Sequence, residues 1–315
     1  MAETFTIFGL EGYLYGLCAF IGAVLLMLGI RLADRKLPQG TVSLFGVTGI
    51  VLGIVCARGL YCAVNWSEFV HNYENPRLML NWVDGGLSMA GLLLGLLLAA
   101  ALTAKIQKIP FARLIDAICV PFGLMMAALR FGEQFTDLGV GAAVEGSEKL
   151  SWLLLESRMG VMVEYRLNVW LYEAIAGIVL FLIAVHLFHK LRDHAGDTAL
   201  IIFSLYGASQ ILLESMRDDG HMLVIFLRIG QLAAFLLPLS ACVILSRRCK
   251  SKKTVWFAWL VIALCVAMVV VLEFSLDGRL TFGTPTLLRD WSLMAVACAV
   301  LAAVPCVLLY KARKA

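Results

Sequence analysis

The chain has 315 residues, of which 61% are hydrophobic and 15% charged, and its mean hydropathy is +0.89. Values this apolar exclude a soluble globular domain and indicate a polytopic membrane protein. The net charge of +4 is the sum of a basic face and a more acidic one, and it does not indicate a nucleic-acid partner.

Apolar segments of about 20 residues, the length that crosses a bilayer, recur along the chain. The first has no basic stretch before it and no cleavage signal after it, so it is predicted to be a span and not a signal peptide. Eight of the nine cysteines lie in apolar segments, which predicts free thiols. We predict an all-α integral membrane helical bundle of about nine spans near 11–32, 43–64, 86–104, 112–130, 168–188, 198–215, 223–246, 255–274 and 291–310.

Lys and Arg are unevenly divided between alternate loops. One set of loops and span ends holds sixteen of them against three acids, and the other holds the remaining ten with nearly all the acids. Because positive charge near span ends resists translocation, we predict the N-terminus outside and the C-terminus in the cytoplasm. The last two spans follow the basic loop 247–253 and contain almost no ionisable groups, so we expect a seven-helix membrane domain at 1–246 and a two-helix extension at 247–315.

Ionisable residues at membrane depth are costly and are functional candidates by default. Each one alone could be an interfacial anchor or a snorkelling side chain. Together they predict a site for a phosphate headgroup, because the guanidinium fork matches phosphate oxygens bidentately. The residues that collect near the predicted outer ends of the spans are Arg58, Arg130, Arg166, Glu173, Glu214 and Arg217, with Tyr15, Tyr172 and Tyr206.

The phrase WVDGGLSMAGLLLG at 82–95 places Asp84 and four glycines at the start of a span. Polar backbone there suggests a ligand site, although Gly91 and Gly95, four positions apart, could equally serve close helix packing. Elsewhere, three histidines lie among basic residues at a helix end, where the helix dipole explains them without a metal. No metal and no cofactor are predicted.

Seven phrases, taken in order, carry a resemblance to a known family. Their order, their spacing and the side of the membrane on which they lie resemble those of prolipoprotein diacylglyceryl transferase, an integral membrane enzyme of bacterial lipoprotein maturation. The resemblance covers roughly residues 10–245. The phrases are LYGLCAFIG (14–22), ARGLYCAVNW (57–66), WVDGGLSMAGLLLG (82–95), IDAICVPFGLMMAALRFGEQF (115–135), RLNVWLYEA (166–174), YGASQILLESMRDDG (206–220) and IGQLAAFLLPL (229–239).

The resemblance implies a multi-pass protein of the bacterial inner membrane. Its reaction would move the diacylglyceryl group of phosphatidylglycerol to the thiol of a lipobox cysteine and release glycerol phosphate. The implied partners are the phospholipid, the signal peptide of a prolipoprotein and the bilayer, while the oligomeric state stays open.

The resemblance also assigns roles by position. Arg130 and Arg217 would contact the phosphate. Glu214 would orient a group or act as a base, and Tyr15 would donate a hydrogen bond to the headgroup. The other positions expected to bind substrate are Arg58, Asp84, Gly85, Gly86, Ser88, Gly91, Glu133, Arg166, Tyr172, Glu173 and Tyr206.

Some positions depart from the family pattern. The signature R-x-G-N-F-x-N-x-E-x-x-G stands here as RFGEQFTDLGVG, so Glu133 replaces an asparagine. Ala90 stands where the family has His or Tyr, and Gln210 where it has arginine. The changes at Glu133 and Gln210 make the predicted pocket about two charges more negative. Two alternatives therefore stay open, transfer with another lipid or acceptor and a non-catalytic lipid-binding role. A transporter fits less well, because its charges are expected at the midplane.

Overall fold

A computed structural model gives the fold for residues 4–7, 10–72, 76–81, 86–144, 154–159, 162–191, 193–218, 223–224, 227–280 and 287–314. Within these ranges lie nine helices that are long and apolar enough to cross a membrane. The predicted all-α, multi-pass membrane bundle is thereby confirmed, while the predicted orientation stays a prediction.

The helices lie close to the predicted spans, with differences at the ends. The seventh span is predicted to begin at 223, but the helix begins at Ile229, because a short antiparallel pair of strands precedes it. The last helix extends past 310 to Lys314, and its basic final turn suits a helix C-terminus. The bounds are α1 Leu14–Ala33, α2 Thr41–Val64, α3 Met89–Ile106, α4 Phe111–Gly132, α5 Val169–Lys190, α6 Asp197–Ser215, α7 Ile229–Arg248, α8 Lys252–Leu276 and α9 Leu287–Lys314.

Two helices form the interior of the bundle. In the most apolar stretch of α4, 72% of the residues are buried, and in that of α6, 61%, whereas the other spans reach at most 39%. The outer helices expose rows of aliphatic side chains such as Leu28, Ile50 and Leu182. Lipid is a suitable surrounding for such surfaces, since every backbone polar group of a helix is satisfied internally.

Glycines let two pairs of helices approach at backbone distance. A Cβ added at Gly177 of α5 would lie 2.6 Å from the carbonyl oxygen of Gly123 on α4. A Cβ at Gly91 of α3 would overlap the carbonyl oxygen of Cys56 on α2. Small residues of this kind allow helices to associate closely in membranes. The packing explanation of Gly91 is therefore supported, and its ligand role stays a prediction.

The last two helices pack on the rest of the bundle. One buried hydrophobic cluster joins Ile211 of α6, Cys242 of α7, Ile262 of α8 and Met294 of α9. The division at 246 stays a prediction, but the two parts share this core.

Short strands lie beside the helix ends. The long connection 131–167 begins as the last residues of α4 and one 3-10 turn at Glu133–Phe135, and much of the rest forms a three-stranded antiparallel sheet in the order β3, β5, β4. The strands are β1 Thr4–Ile7, β2 Leu10–Tyr13, β3 Val140–Val144, β4 Leu154–Met159, β5 Met162–Asn168, β6 Leu223–Val224 and β7 Leu227–Arg228.

Charged residues surround the start of α6. The carboxylate of Asp116 on α4 accepts hydrogen bonds from the amide of Ala199 at 2.8 Å and from that of the glycine three residues earlier at 2.6 Å. The carboxylate of Asp197 accepts from Arg248 of α7 at 2.7 Å and from Arg313 of α9 at 3.0 Å. Carboxylates are favoured at a helix N-terminus. We call this group the α6 entry cluster, and it consists of Asp116, Asp197, Arg248 and Arg313.

Candidate functional site

An elongated cavity of about 320 Å³ lies between two pairs of helices, α1 with α4 and α2 with α3. It runs from Tyr15 in the first turn of α1 to Met27, twelve residues later, which is about 18 Å along the helix. Most of its walls are apolar, formed by residues that include Ala19, Ala23, Leu26, Phe45, Ile50, Ile54, Leu92, Leu96, Met125 and Leu129.

The wall of the cavity formed by α2 and the segment before α3 includes exposed apolar side chains. Ile50, Ile54 and Leu87 line the cavity, and they are 55%, 42% and 45% exposed.

One end of the cavity is polar. The polar residues that line it come from α1, α4, the start of α3 and the end of α6, at the same end of the bundle. They are Tyr15, Ser88, Arg130, Glu133, Glu214 and Arg217.

Two arginines and two glutamates at this end form a closed ring of ion pairs. Glu133 bridges both guanidinium groups, with its Oε1 2.6 Å from Arg130 and its Oε2 3.1 Å from Arg217. Glu173 makes the same bridge on the other side, at 3.2 Å from Arg130 and 2.8 Å from Arg217. We call these four residues the ion-pair ring.

The ion-pair ring is buried almost completely. Its side chains are between 0% and 6% exposed, and burying such charges costs several kcal/mol per ion unless they are paired. Two ring atoms still lack a hydrogen bond among the described residues. They are Nε of Arg130 and Oε1 of Glu173, whose contact with Arg130 falls outside hydrogen-bond geometry.

Glu214 and Gln210 extend the ring along α6. Oε1 of Gln210 accepts a hydrogen bond from Arg130 at 3.2 Å, and Oε1 of Glu214 lies 3.9 Å from the same guanidinium. The side chain of Glu214 is 13% exposed, more than any ring member. With all groups ionised, the ring and Glu214 carry a formal charge of −1, from two arginines and three carboxylates.

Two parts of the backbone position the ring, the end of α4 and the segment that follows α6. Arg130 and Glu133 are three residues apart where α4 turns into the 3-10 segment, so both side chains lie on one face. Arg217 lies two residues after the end of α6, and an isolated bridge pairs it with Gly141 of β3. Burial lowers the pKa of Arg217, but the carboxylates of Glu173 and Glu133 outweigh this effect and raise its pKa, so the guanidinium stays charged.

Residues 2–247 match the family model described as prolipoprotein diacylglyceryl transferase. The chain belongs to the prolipoprotein diacylglyceryl transferase family. The resemblance drawn from the seven phrases is thus confirmed, and so is the prediction of a membrane transferase. Helices α8 and α9 lie beyond the matched range.

Curated relatives agree with this assignment at modest identity. The chain is similar to the phosphatidylglycerol-prolipoprotein diacylglyceryl transferases of three bacteria. It is 29% identical to that of Clostridioides difficile over 221 residues, which cover 70% of this chain and 84% of the relative. The corresponding identity is 28% for Bacillus licheniformis, over 74% of this chain and 87% of the relative. For Clostridium novyi it is 28%, over 79% and 97%.

The fold brings the four predicted catalytic residues, and some of the predicted substrate-binding residues, to the polar end of the cavity. Tyr15, Arg130, Glu133, Glu214 and Arg217 all line it, although they come from separate segments. Their individual roles stay predictions. Glu173 completes the ring from the first turns of α5.

Tyr206 is fully buried behind the ring. Its ring packs edge-on against Phe122 with centroids 4.9 Å apart, and its hydroxyl lies 3.9 Å from the sulfur of Met126. It also interacts electrostatically with Arg130. These contacts make Tyr206 part of the wall that supports Arg130, and its predicted contact with substrate stays a prediction.

Arg58 takes part in holding a loop and is not among the residues that line the cavity. Its guanidinium donates to the carbonyl oxygens of Leu78, Met79, Asn81 and Gly86 at 2.7–3.0 Å. These bonds shape the segment that leads into the glycine phrase. Its predicted contact with substrate stays a prediction.

The glycine phrase is described from Gly86 onward, so Asp84 and Gly85 lie outside the described residues. Gly86 has a φ of +69°, a left-handed conformation that favours glycine. Ser88 accepts a hydrogen bond from the amide of Gly91 at 3.2 Å and so caps α3. Ser88 also lines the cavity, so capping and a ligand contact are compatible.

Arg166 and Tyr172 are not among the residues that line the cavity. Arg166 lies in β5 and pairs with Glu164 at 3.4 Å and with Asp218 at 3.1 Å. Tyr172 precedes Glu173 on α5 and is half-buried. Their predicted substrate contacts stay predictions.

Sequence reasoning missed a polar contact from the extension. Glu273 of α8 is buried and accepts a hydrogen bond from Gln231 of α7 at 2.6 Å. The last two spans are expected to contain almost no ionisable groups, yet Glu273 and Asp290 are both buried there. A lone carboxylate in an apolar span was the available signal, since such residues are functional candidates.

No group of three or more His, Cys, Asp or Glu side chains that could hold a metal ion occurs among the described residues.

Proposed function

We propose that this transferase moves the diacylglyceryl group of phosphatidylglycerol to the thiol of a lipobox cysteine in a prolipoprotein. The observation that carries the proposal is the ion-pair ring at the polar end of a largely apolar cavity. A phospholipid has the same division, an anionic headgroup joined to apolar chains. The names of the relatives supply phosphatidylglycerol and prolipoprotein as substrates of those proteins.

The apolar part of the cavity suits an acyl chain. A lipid that enters between Ile50, Ile54 and Leu87 would place one chain along α1, toward Met27. Its phosphate would then lie near Arg130 and Arg217, where the fork of a guanidinium binds phosphate oxygens well.

The reaction is a displacement at carbon. The sulfur of the lipobox cysteine forms a bond to the glycerol carbon that carries the phosphate ester, and the bond from that carbon to the ester oxygen breaks. The electron pair of that bond leaves with glycerol phosphate. Arg130 and Arg217 would stabilise the negative charge that grows on the leaving oxygen. Electrostatic stabilisation of this kind is the largest single contribution to rate acceleration in many enzymes.

The thiol must lose its proton, because the thiolate is the nucleophile and a free thiol has a pKa of about 8.5. Glu133 and Glu173 each bridge two guanidinium groups, so both carboxylates are already engaged in the ion-pair ring. Glu214 is 3.9 Å from its nearest guanidinium and lines the cavity. We therefore assign Glu214 as the base that accepts the thiol proton. Tyr15 is assigned as a hydrogen-bond donor to the headgroup.

Glu133 and the lipid phosphate would compete for the same two guanidinium groups. Glu133 already occupies both arginines, so phosphate must displace its carboxylate or bind through the remaining donors, such as Nε of Arg130. This competition distinguishes the chain from the family pattern, in which an asparagine is expected at this position.

The proposed setting follows from the substrates. The protein would act in the bacterial cytoplasmic membrane with the polar end of the cavity toward the outer leaflet. The N-terminus would then lie outside and the C-terminus in the cytoplasm.

The experiment incubates the purified protein in phosphatidylglycerol vesicles with a lipobox peptide and follows the peptide by mass spectrometry. A diacylglyceryl adduct with matching release of glycerol phosphate is expected. A peptide with serine in place of the cysteine is the control and should gain no adduct. Absence of an adduct with phosphatidylglycerol, from protein that is folded, would overturn the proposal.

A further inference from the structure

Helices α8 and α9 lie outside the family match, yet α8 contributes to the surroundings of the site. Glu273 is the only carboxylate in α8 and lies three residues before its end. It is 8% exposed. A buried carboxylate in an apolar span is costly unless it has a hydrogen-bond partner. The partner of Glu273 belongs to a series of hydrogen bonds that ends at Arg217.

Gln231 of α7 is the first link. Its Nε2 donates to Glu273 at 2.6 Å and to the carbonyl oxygen of Ile211 on α6 at 3.3 Å. Its Oε1 accepts from the backbone amide of Arg228 at 3.3 Å. All three side chains, those of Glu273, Gln231 and Arg228, are buried.

Arg228 is the second link. Its Nη2 donates to the backbone carbonyl oxygen of Arg217 at 2.6 Å. Arg217 in turn supplies one guanidinium of the ion-pair ring, at 2.8 Å from Glu173 and 3.1 Å from Glu133.

We propose that Glu273 is a positioning residue that holds Arg217 in place through Gln231 and Arg228. We call Glu273, Gln231 and Arg228 the α8 relay. The extension is therefore part of the machinery that orients the site.

The chemistry of the first link explains how Glu273 orients Gln231. A carboxylate accepts hydrogen bonds only, whereas an amide side chain has one donating and one accepting end. Glu273 therefore makes Gln231 turn its NH2 group toward α8, which leaves its oxygen for the amide of Arg228. This arrangement fixes the start of α7, from which Arg228 reaches Arg217.

The test uses the whole 315-residue chain, four single variants and one double variant. Glu273→Leu removes the acceptor, Glu273→Gln keeps an acceptor oxygen without the charge, and Gln231→Leu removes the middle link. Ser275→Ala is the matched control, because Ser275 is also buried at this end of α8 but bonds to Asp290 at 2.7 Å, outside the relay.

The first readout is independent of activity. Hydrogen–deuterium exchange of residues 214–218 reports on the segment that the relay holds, where the amide of Asp218 donates to Val140 at 2.9 Å. Faster exchange is expected in Glu273→Leu and Gln231→Leu but not in Ser275→Ala. Unchanged exchange in Glu273→Leu would overturn the relay, whatever the activity.

The second readout is transfer, and it rests on the proposed function. Glu273→Leu should lower kcat on the order of tenfold with a smaller change in KM, since small displacements of a positioned group are costly. Glu273→Gln should recover most of the rate. The double variant with Gln231→Leu should lose no more than the single variants, because both interrupt one chain of contacts.

The two proposals fail in different ways. If the wild type transfers nothing while exchange still rises in Glu273→Leu, the relay stands and the proposed function falls. If the wild type is active and the exchange and rate of Glu273→Leu match those of Ser275→Ala, the relay falls and the proposed function stands.

Discussion

Two groups of arginines and carboxylates lie at opposite ends of α6, and they differ in what surrounds them. In the α6 entry cluster every carboxylate oxygen accepts a hydrogen bond, and the two arginines are 44% and 26% exposed. In the ion-pair ring no side chain is more than 6% exposed, two atoms lack hydrogen bonds among the described residues, and the neighbour is a cavity. Ion pairs at the first end fasten helices, whereas those at the second leave capacity for a ligand.

We expect stability to depend mainly on the α6 entry cluster and activity mainly on the ion-pair ring. Substitutions in the entry cluster should loosen the bundle and leave the rate of transfer per folded molecule unchanged. Substitutions in the ring should change transfer more than stability.

The largest effect is expected from the arginine of the ring. Arg130→Ala should lower kcat about 10²- to 10³-fold, because it removes the donors that face the leaving oxygen. The matched control is Arg248→Ala in the entry cluster, which should stay within about twofold of wild type in a transfer assay.

Arg130→Lys separates charge from geometry. Lysine keeps the charge but not the planar fork, so most of the activity should still be lost. Full activity in Arg130→Lys would show that charge alone is required and would contradict bidentate binding of the phosphate.

The next effect is expected from Glu214→Gln. Loss of a base should lower kcat about a hundredfold near pH 7, with KM changed little. Because a free thiol ionises near pH 8.5, the rate of the variant should recover between about pH 7 and pH 9. Asp277→Asn, at an exposed carboxylate beyond α8, serves as the control. A variant as fast as wild type at pH 7 would remove Glu214 from the mechanism.

The entry cluster should show the reverse behaviour. Asp116→Ala leaves two amides at the start of α6 without their acceptor, which should cost about 1–3 kcal/mol of stability. Thermal unfolding in detergent should shift to lower temperature while kcat of the folded fraction stays the same. A loss of kcat without a loss of stability would show that the two ends of α6 are coupled.

The smallest effect is expected from Glu133→Gln. The substitution removes one negative charge from a group with a formal charge of −1 and weakens one of the two carboxylate bridges between the arginines, so phosphate competes for them more easily. We expect KM for phosphatidylglycerol to fall several-fold, because the carboxylate that competes with the lipid phosphate for the arginines loses its negative charge. A rise in KM would mean that Glu133 helps to bind the substrate and does not compete with it.

Much of the fold could be predicted from the sequence. The nine spans follow from hydropathy, because the bilayer selects long apolar helices. The start of α7 could not be placed, since the strands at Leu223–Val224 and Leu227–Arg228 are apolar like the helix that follows. The site was predicted in part: Arg130, Glu173 and Arg217 were singled out as charges at membrane depth.

The sequence by itself determined the class of the protein, its spans, its family and the residue types of its site. These depend on composition and on the order of residues along the chain. Only the tertiary structure decided that Glu133 and Glu173 both bridge the two arginines of the ring. It also decided that Arg58 holds a loop, and that hydrogen bonds through Gln231 and Arg228 connect Glu273 to Arg217. Such contacts join residues many positions apart, and the packing of helix ends, which no local pattern encodes, determines which of them meet.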